Sequence, residues 1–145
     1  MDKIKYKHNL PIQLRFSDID QFGHVNNTVY FSFYDLGKTE YFSSVCKNVD
    51  WHKEAIMVVH IEVDFFEQIY SHNQIAVQTA VTEIGNKSFK LNQQVVDVNS
   101  GQVKCSCKSV MVTYDLENNC SKNLTDEWKE AICLFEEKEL RRERI

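Results

Sequence analysis

Residues 15–31 have the sequence RFSDIDQFGHVNNTVYF, and this stretch holds the densest group of polar side chains in the chain. Two carboxylates stand two positions apart, at Asp18 and Asp20. Asn26 and Asn27 follow, and asparagine is favoured at a helix start because its side chain accepts a hydrogen bond from an otherwise unpaired N–H group of the first turn. The stretch therefore predicts a polar loop that leads into the N-terminus of a helix.

The helix after this loop is predicted to run from Thr28 to about Cys46. Its apolar stripe has members three or four positions apart, at Val29, Tyr30, Phe33, Gly37 and Tyr41. Large apolar residues also occupy the other sides, a pattern typical of a helix that is buried on most of its surface. Gly37 costs roughly 1 kcal/mol of helix propensity relative to alanine, so we expect close packing against a neighbouring backbone there.

Strand patterns lie on both sides of this helix. The first strand is predicted before the loop, and four more stretches that alternate apolar and polar residues follow the helix. The last three are long and are joined by very short turns that contain Gly-Asn or Asn-Ser-Gly, which indicates an antiparallel meander. The predicted strands are residues 8–16, 55–66, 74–84, 87–98 and 102–116.

The predicted fold class is α+β, with a curved antiparallel five-stranded sheet wrapped around a long buried helix and a C-terminal surface helix. The last helix begins after Thr125 and has an apolar stripe of its own. One proline, four glycines and no repeat leave no linker, so residues 1–145 are expected to form a single domain. Its core is expected at about 8–116 and the C-terminal helix at about 125–142. Such a sheet leaves an edge and an apolar face, which predicts a homodimer or homotetramer.

Composition and charge argue against several functional classes. The net charge is −4 and no Lys/Arg block is present, which disfavours a nucleic-acid binder. No apolar run approaches the roughly 20 residues of a membrane span, and the first 14 residues lack the apolar stretch of a secretory signal. The five cysteines form no C-x-x-C pattern. We therefore expect free thiols, no metal site, no cofactor and a cytoplasmic location.

The polar loop and the helix start together suit acyl transfer. The first turn of a helix presents unpaired N–H groups and the positive end of the helix dipole, which polarise a carbonyl oxygen and stabilise a tetrahedral oxyanion. A carboxylate nearby attacks the carbonyl carbon or activates a water molecule. On spacing alone the alternative stays open, because Asp, Asn and Gly before a helix are also common as ordinary turn and capping residues.

The same stretch resembles the signature of the hot-dog acyl-CoA thioesterases of the 4-hydroxybenzoyl-CoA thioesterase and YbgC type. That signature is an aromatic residue, then x-D-x-D-x-x-G-H-V-N-N-x-x-Y, and every fixed position is filled here. The run VDFFEQI from Val63 and the run IGNKS from Ile84 are similar to a strand and a hairpin of the family, so the resemblance covers about residues 8–116. It implies a hot-dog fold and a hydrolase that releases a free carboxylic acid and CoA.

By position, the resemblance implies that Asp20 is the catalytic carboxylate. The implied oxyanion donor is the backbone N–H of Asn27, and Asp18 is expected to hold the loop through backbone hydrogen bonds. The residues implied to contact or orient the substrate are Gly23, His24, Val25, Asn26 and Tyr30. In the hairpin after Ile84, Lys87 and Ser88 are candidates to contact the phosphates of CoA, although a hairpin lysine is more often simply solvated.

The chain departs from the family pattern at two places. Asp35 and Lys38 stand where the family commonly has Glu and Arg. After the second strand, relatives often have Pro followed by Gly-Asp, whereas this chain has Gln68 and His72-Asn73. The second departure leaves the shape of the rim near Tyr70 open.

Several alternatives remain at this point. The substrate carrier is CoA or an acyl carrier protein, and Asp20 acts as a general base or as a nucleophile. A non-catalytic module that binds acyl thioesters is an alternative of another class. A hydratase or dehydratase of the same fold is a further one, although such relatives typically pair a His with a carboxylate. The length and the aromatic or aliphatic character of the acyl group are not determined by these motifs.

Overall fold

The computed structural model of the chain describes residues 3–142. All of the predicted strands and both predicted helices are present, and a short 3-10 turn (Phe16–Asp18) precedes the long helix. The elements in chain order are β1 (His8–Ile12), α1 (Val29–Val45), β2 (Glu54–Phe65), β3 (Ile75–Ile84), β4 (Ser88–Asp97), β5 (Val103–Asp115), β6 (Cys120–Ser121) and α2 (Asp126–Glu136).

The strands form one antiparallel sheet in the order β1-β3-β4-β5-β2. This confirms the predicted curved sheet around α1, with β1 and β2 at its two edges. The two-residue strand β6 was not predicted and pairs with the end of β5, where Tyr114 lies opposite Ser121. It forms because the chain reverses at Asn119, whose φ of 53° lies in the left-handed region.

Two predicted boundaries were wrong. Pairing of β1 with β3 stops at Ile12 instead of residue 16, because the chain leaves the sheet to enter the 3-10 turn. Helix α2 ends at Glu136 instead of about residue 142, because Glu137 adopts a left-handed conformation with φ of 57°. The following segment runs along β3, where the N–H of Ile84 donates to the carbonyl of Leu140 (2.9 Å). The residues after Glu136, which were predicted to continue the helix, therefore cover the free edge of β3.

One face of α1 packs against the sheet and is buried. The buried residues on this face are Tyr30, Phe33, Tyr34, Gly37, Tyr41 and Phe42. The opposite face carries Phe31 and Leu36, which are 44% and 53% exposed. The prediction that α1 is buried on most of its surface therefore does not hold within a single chain.

Gly37 lies at the closest approach between α1 and β3. A Cβ atom on Gly37 would lie 2.7 Å from Cγ1 of Val77 and 3.0 Å from Oγ1 of Thr79. Close packing at this position is therefore confirmed, although the neighbours are side chains of the sheet and not a backbone.

Two clusters of buried side chains lie between α1 and the sheet. The first surrounds the C-terminal half of α1 and includes Phe42, Phe89 and, from α2, Trp128. The second lies at the N-terminal half of α1 and includes Val25 and Ile69 from the connecting loops. The polar loop packs on this second cluster. Among residues 3–142 there is no helix with the length and hydropathy that a membrane crossing requires.

Candidate active site

The polar loop, the start of α1 and the end of β2 line one groove of about 830 Å3. Six of the residues implied by the signature come together there: Asp20, His24, Val25, Asn26, Asn27 and Tyr30. The other lining residues are Phe22, Phe65, Phe66, Glu67, Gln68 and Tyr70. The groove therefore has a polar wall that is continuous in sequence and a largely aromatic wall from a distant segment.

Asp20 lies in a tight turn that presents its carboxylate to the groove. Its backbone N–H donates to the carbonyl of His24 (2.9 Å), and its own carbonyl accepts from the N–H of Gly23 (3.0 Å). Oδ1 of Asp20 accepts from the N–H of Phe22 (2.9 Å), whereas Oδ2 accepts no hydrogen bond from the described part of the chain. Gly23 does not line the groove but has φ of 85°, a conformation that glycine adopts without steric cost.

The surroundings of Asp18, in contrast to those of Asp20, indicate a structural role. It is buried, and its carboxylate accepts from the backbone N–H of Arg15 (2.9 Å) and from the guanidinium of the same residue (3.0 Å). Burial alone would raise the pKa of the Asp18 carboxyl, but the hydrogen bonds and positive charge of Arg15 outweigh it and hold that pKa below its usual range. Because the carbonyl of Asp18 also accepts from the N–H of Asn26 (3.1 Å), this residue holds the loop to the helix start.

The start of α1 leaves one backbone donor unused. Oδ1 of Asn26 accepts from the N–H and the hydroxyl of Thr28, at 2.9 and 2.7 Å, and the carbonyl of Asn26 accepts from the N–H of Val29 (2.9 Å). No acceptor within residues 3–142 pairs with the N–H of Asn27. The Asn26 side chain therefore closes the turn that leads into α1, and Asn27, whose N–H is unpaired within these residues, lines the same groove as Asp20.

The aromatic wall comes from the end of β2 and the loop that follows it. Tyr70 pairs with His24 through a backbone bridge, and their rings meet edge to face with centroids 5.5 Å apart. The N–H of Val25 donates to the carbonyl of Ile69 (2.8 Å). Phe65 and Phe66 were not among the predicted site residues, although the VDFFEQI run is the signal that could have located this wall.

Tyr30 forms the apolar end of the groove. It is buried, and its ring packs edge to face against Phe65 with centroids 5.0 Å apart. Burial, with a smaller contribution from Cys105, raises the pKa of Tyr30 to about 12. The phenol therefore stays protonated at neutral pH and serves as a neutral wall.

Lys87 and Ser88 are not brought to this groove within the chain. Ser88 lies opposite Val112 of β5, whereas the groove residue Phe65 lies opposite Cys105. Seven positions along a strand span roughly 23 Å. The proposed contact of this hairpin with CoA therefore stays a prediction.

Across the part of the chain that the structure describes, no three His, Cys, Asp or Glu side chains are grouped so that they could hold an ion. The chemistry available at the groove is that of a carboxylate and a free backbone N–H group.

The family model of the thioesterase-like superfamily matches residues 14–135, which include both walls of the groove. The chain belongs to the thioesterase-like superfamily. The fold is the hot-dog fold of its solved neighbours, and thioester hydrolysis is the activity that this membership supports.

Solved structures that are similar to this chain share its fold at low sequence identity. The PA5185 protein of Pseudomonas aeruginosa superposes with a TM-score of 0.81 at 23% identity, over 90% of this chain and 92% of that chain. A thioesterase of Thermus thermophilus, solved with coenzyme A and Zn, superposes with a TM-score of 0.80 at 24% identity, over 92% and 96%.

Two curated proteins are similar in sequence. YsmA of Bacillus subtilis is 23% identical over 121 residues, which cover 83% of this chain and 82% of YsmA. The chloroplastic acyl-acyl carrier protein thioesterase ATL2 of Arabidopsis thaliana is 28% identical over 80 residues. That match covers 53% of this chain and 43% of ATL2, less than half of the plant protein.

Proposed function

We propose that this superfamily member hydrolyses acyl-CoA thioesters to a free carboxylic acid and CoA. The observation that carries the proposal is that Asp20, with one carboxylate oxygen unpaired among the described residues, and Asn27, with its backbone N–H likewise unpaired, line one groove. A free carboxylate oxygen supplies the base, and the N–H at the helix start supplies the oxyanion donor.

In the proposed reaction the thioester carbonyl oxygen accepts a hydrogen bond from the N–H of Asn27. Asp20 removes a proton from a water molecule as the water oxygen attacks the carbonyl carbon. The tetrahedral oxyanion is stabilised by the same N–H and by the positive end of the α1 dipole. The carbon–sulfur bond then breaks, and the proton held by Asp20 passes to the departing sulfur.

The alternative role for Asp20 is direct attack on the carbonyl carbon, which forms a mixed anhydride. A single turnover in water enriched in oxygen-18 tests for the anhydride route, because label in the Asp20 side chain can come only from the anhydride. With a general base, the label enters only the released acid. With a nucleophile, hydrolysis of the anhydride at the enzyme's own carbonyl leaves the label in Asp20, which peptide mass spectrometry detects.

CoA is the proposed carrier, and an acyl carrier protein is the second candidate. The Thermus thermophilus neighbour, which was solved with coenzyme A, supports the first, and the partial match to a plant acyl-acyl carrier protein thioesterase supports the second. The test is a panel of short, long and aromatic acyl groups on both carriers, scored by kcat/KM from thiol release. Binding without turnover of any member would favour the non-catalytic alternative.

We further propose that the active form is a homodimer joined along β2. Within residues 3–142 this strand pairs with β5 alone, so its other edge presents N–H and carbonyl groups that no described strand pairs with. Its exposed apolar side chains are Met57, Val58, Val59, Ile61 and Phe65, between 39% and 59% exposed, and Phe31 of α1 lines a groove with Val58 and Ile61. An apolar edge of this kind is expected to be covered by a partner, and a second copy offers the same surface. Because Phe65 also lines the groove, the subunit boundary then lies next to the active site.

Val59→Lys is expected to convert the dimer into a monomer, because it places a charge on the 59% exposed apolar centre of the β2 edge. Light scattering coupled to gel filtration should give a particle of at least twice the chain mass of 17.1 kDa for the unmodified protein and of one chain mass for the variant. Leu134→Lys is the matched control, because Leu134 is 69% exposed on α2, away from β2. A monomeric unmodified protein at micromolar concentration would contradict the proposal.

Hydrolysis is expected to continue in the presence of a chelator and of a reductant. The proposed mechanism uses only a carboxylate and a backbone N–H, and the described residues contain no group suited to a metal ion. Burial raises the pKa of Cys105 to about 11 and that of Cys107 to about 12, so both thiols stay protonated and unreactive. Thiol release should be measured with EDTA and, in a separate assay, after dithiothreitol is removed. Loss of turnover that one specific metal restores would refute the metal-free mechanism.

A further inference from the structure

The loop between β2 and β3 is anchored to the sheet by the side chain of Asn73. Oδ1 of Asn73 accepts from the backbone N–H of Tyr70 (2.7 Å), and Nδ2 donates to Oδ2 of Asp97 (3.1 Å). Asp97 is buried at the end of β4, and its Oδ1 accepts from the N–H of Asn99 (2.9 Å). The amide of Asn73 thus joins the aromatic wall of the groove to the end of β4, the middle strand of the sheet.

Tyr70 in turn contacts the polar loop that contains Asp20 and His24. Its backbone forms a bridge with His24, and the two rings pack edge to face. The carbonyl of His24 accepts from the N–H of Asp20 (2.9 Å). An uninterrupted series of contacts therefore runs from the Asn73–Asp97 pair through Tyr70 and His24 to the backbone of Asp20.

Asn73 supplies the side-chain link between Tyr70 and β4, whereas backbone hydrogen bonds hold the two ends of the loop. The N–H groups of Phe66 and Glu67 donate to the carbonyl of Lys104 (2.9 and 3.1 Å), and the N–H of Val98 donates to the carbonyl of Gln74 (2.8 Å). Residues 66–74 include no strand, and the Tyr70 side chain is 42% exposed. Small displacements matter at a reacting centre, where a shift of about 1 Å caused by a distant change costs about 100-fold in rate. A residue that holds the aromatic wall in place can therefore act on catalysis without touching the substrate.

From these contacts we infer that Asn73 is a positioning residue for the proposed thioester hydrolysis. Its side-chain amide fixes Tyr70 and, through Tyr70 and His24, sets the separation between the Asp20 carboxylate and the N–H of Asn27. This inference rests on the proposed function.

The test is Asn73→Asp. The new carboxylate still accepts from the N–H of Tyr70, but it faces Asp97 and repels it, so the link to β4 is lost. We expect kcat for acyl-CoA hydrolysis to fall by about 10- to 100-fold, with a smaller change in KM. Exchange of the Val25 amide proton, whose N–H donates to Ile69, should become faster in the same variant.

The double variant Asn73→Asp with Asp97→Asn restores a complete set of hydrogen bonds with donor and acceptor exchanged. It should recover most of kcat and return the exchange of the Val25 amide to its original rate. Recovery of this kind separates positioning from a general loss of stability, which thermal melting of all variants measures alongside.

Asn118→Asp is the matched control. Nδ2 of Asn118 donates to Oδ2 of Asp115 (2.8 Å) in the turn after β5, at the end of the sheet farthest from Phe65. Kinetics of this variant should match those of the unmodified protein. Unchanged kcat in Asn73→Asp, or a loss that the exchanged pair fails to rescue, would overturn the inference. An unmodified protein that hydrolyses no thioester would refute the proposed function instead, and the hydrogen-exchange result would still report on the link.

Discussion

Asp20→Asn is expected to lower kcat by at least ~100-fold, the low end for a positioned acid–base group. An amide cannot take the proton of the attacking water, and it cannot form an acyl anhydride. The turn should survive, because the amide oxygen can still accept from the N–H of Phe22. KM should change little, since the proposed contact between the N–H of Asn27 and the carbonyl oxygen is retained. The measurement is thiol release from a short and an aromatic acyl-CoA, together with thermal melting.

Asp18→Asn is the internal control for this experiment. Its main effect should be on stability, because the carboxylate is buried against Arg15 and does not line the groove. The pKa of Asp18 is lower in the folded chain than its ordinary value, so the ionised form stabilises the fold above the ordinary pKa. That contribution disappears as pH falls through the folded-state pKa, so the difference in unfolding free energy between Asp18→Asn and the unmodified protein should shrink in acid. A larger kinetic loss at Asp18 than at Asp20 would mean that the other carboxylate carries the chemistry.

Gly37→Leu is expected to lower the free energy of unfolding by about 3 kcal/mol, the upper end of the usual cost of overpacking. Even a single added Cβ would lie 2.7 Å from Cγ1 of Val77, so α1 must move away from β3. Gln93 would then lose the bonds that it donates to the carbonyl of Tyr34 (2.9 Å) and to Oγ1 of Thr79 (3.0 Å). Leucine is a good helix former, so the loss comes from packing and not from helix propensity. Thermal melting should show a decrease of roughly 10 °C.

Two further variants test the packing explanation. Ser43→Leu adds the same side chain at an exposed position of α1 and should leave the melting temperature nearly unchanged. Gly37→Ala combined with Val77→Ala removes the closest contact, and the two changes should show a coupling energy of about 1 kcal/mol. Equal destabilisation by Ser43→Leu and Gly37→Leu would show that the space next to Gly37 does not limit the fold.

Local signals in the sequence were sufficient for most of the fold and for one wall of the site. Helix α1 begins and ends within one residue of its predicted bounds, and β2 to β5 deviate by at most one residue at either end. Capping residues, alternation and short turns are properties of neighbouring positions, so they can be recognised without the fold. The groove wall from Asp20 to Tyr30 is continuous in sequence for the same reason.

The features that only the tertiary structure revealed all depend on residues that are far apart in the sequence. The aromatic wall with Phe65 and Tyr70 lies about 40 residues after the polar loop in the sequence. It reaches that loop because β2 pairs with β5 and because the segment after β2 folds back on His24. The early end of α2 is decided by the free edge of β3, which the residues after Glu136 cover.

The sequence by itself determined the main helices and strands and their order, because each is encoded within a few adjacent residues, and its resemblance to the thioesterase signature indicated Asp20 and Asn27 as the candidate catalytic pair. Only the tertiary structure decided which carboxylate is buried and which faces the groove, since Asp18 and Asp20 are equivalent in spacing. It also decided that Asn73 reaches Asp97, 24 positions away, and that one face of α1 stays exposed. Burial and long-range hydrogen bonds are set by the packing of whole elements, and no local pattern specifies which partner a side chain will meet.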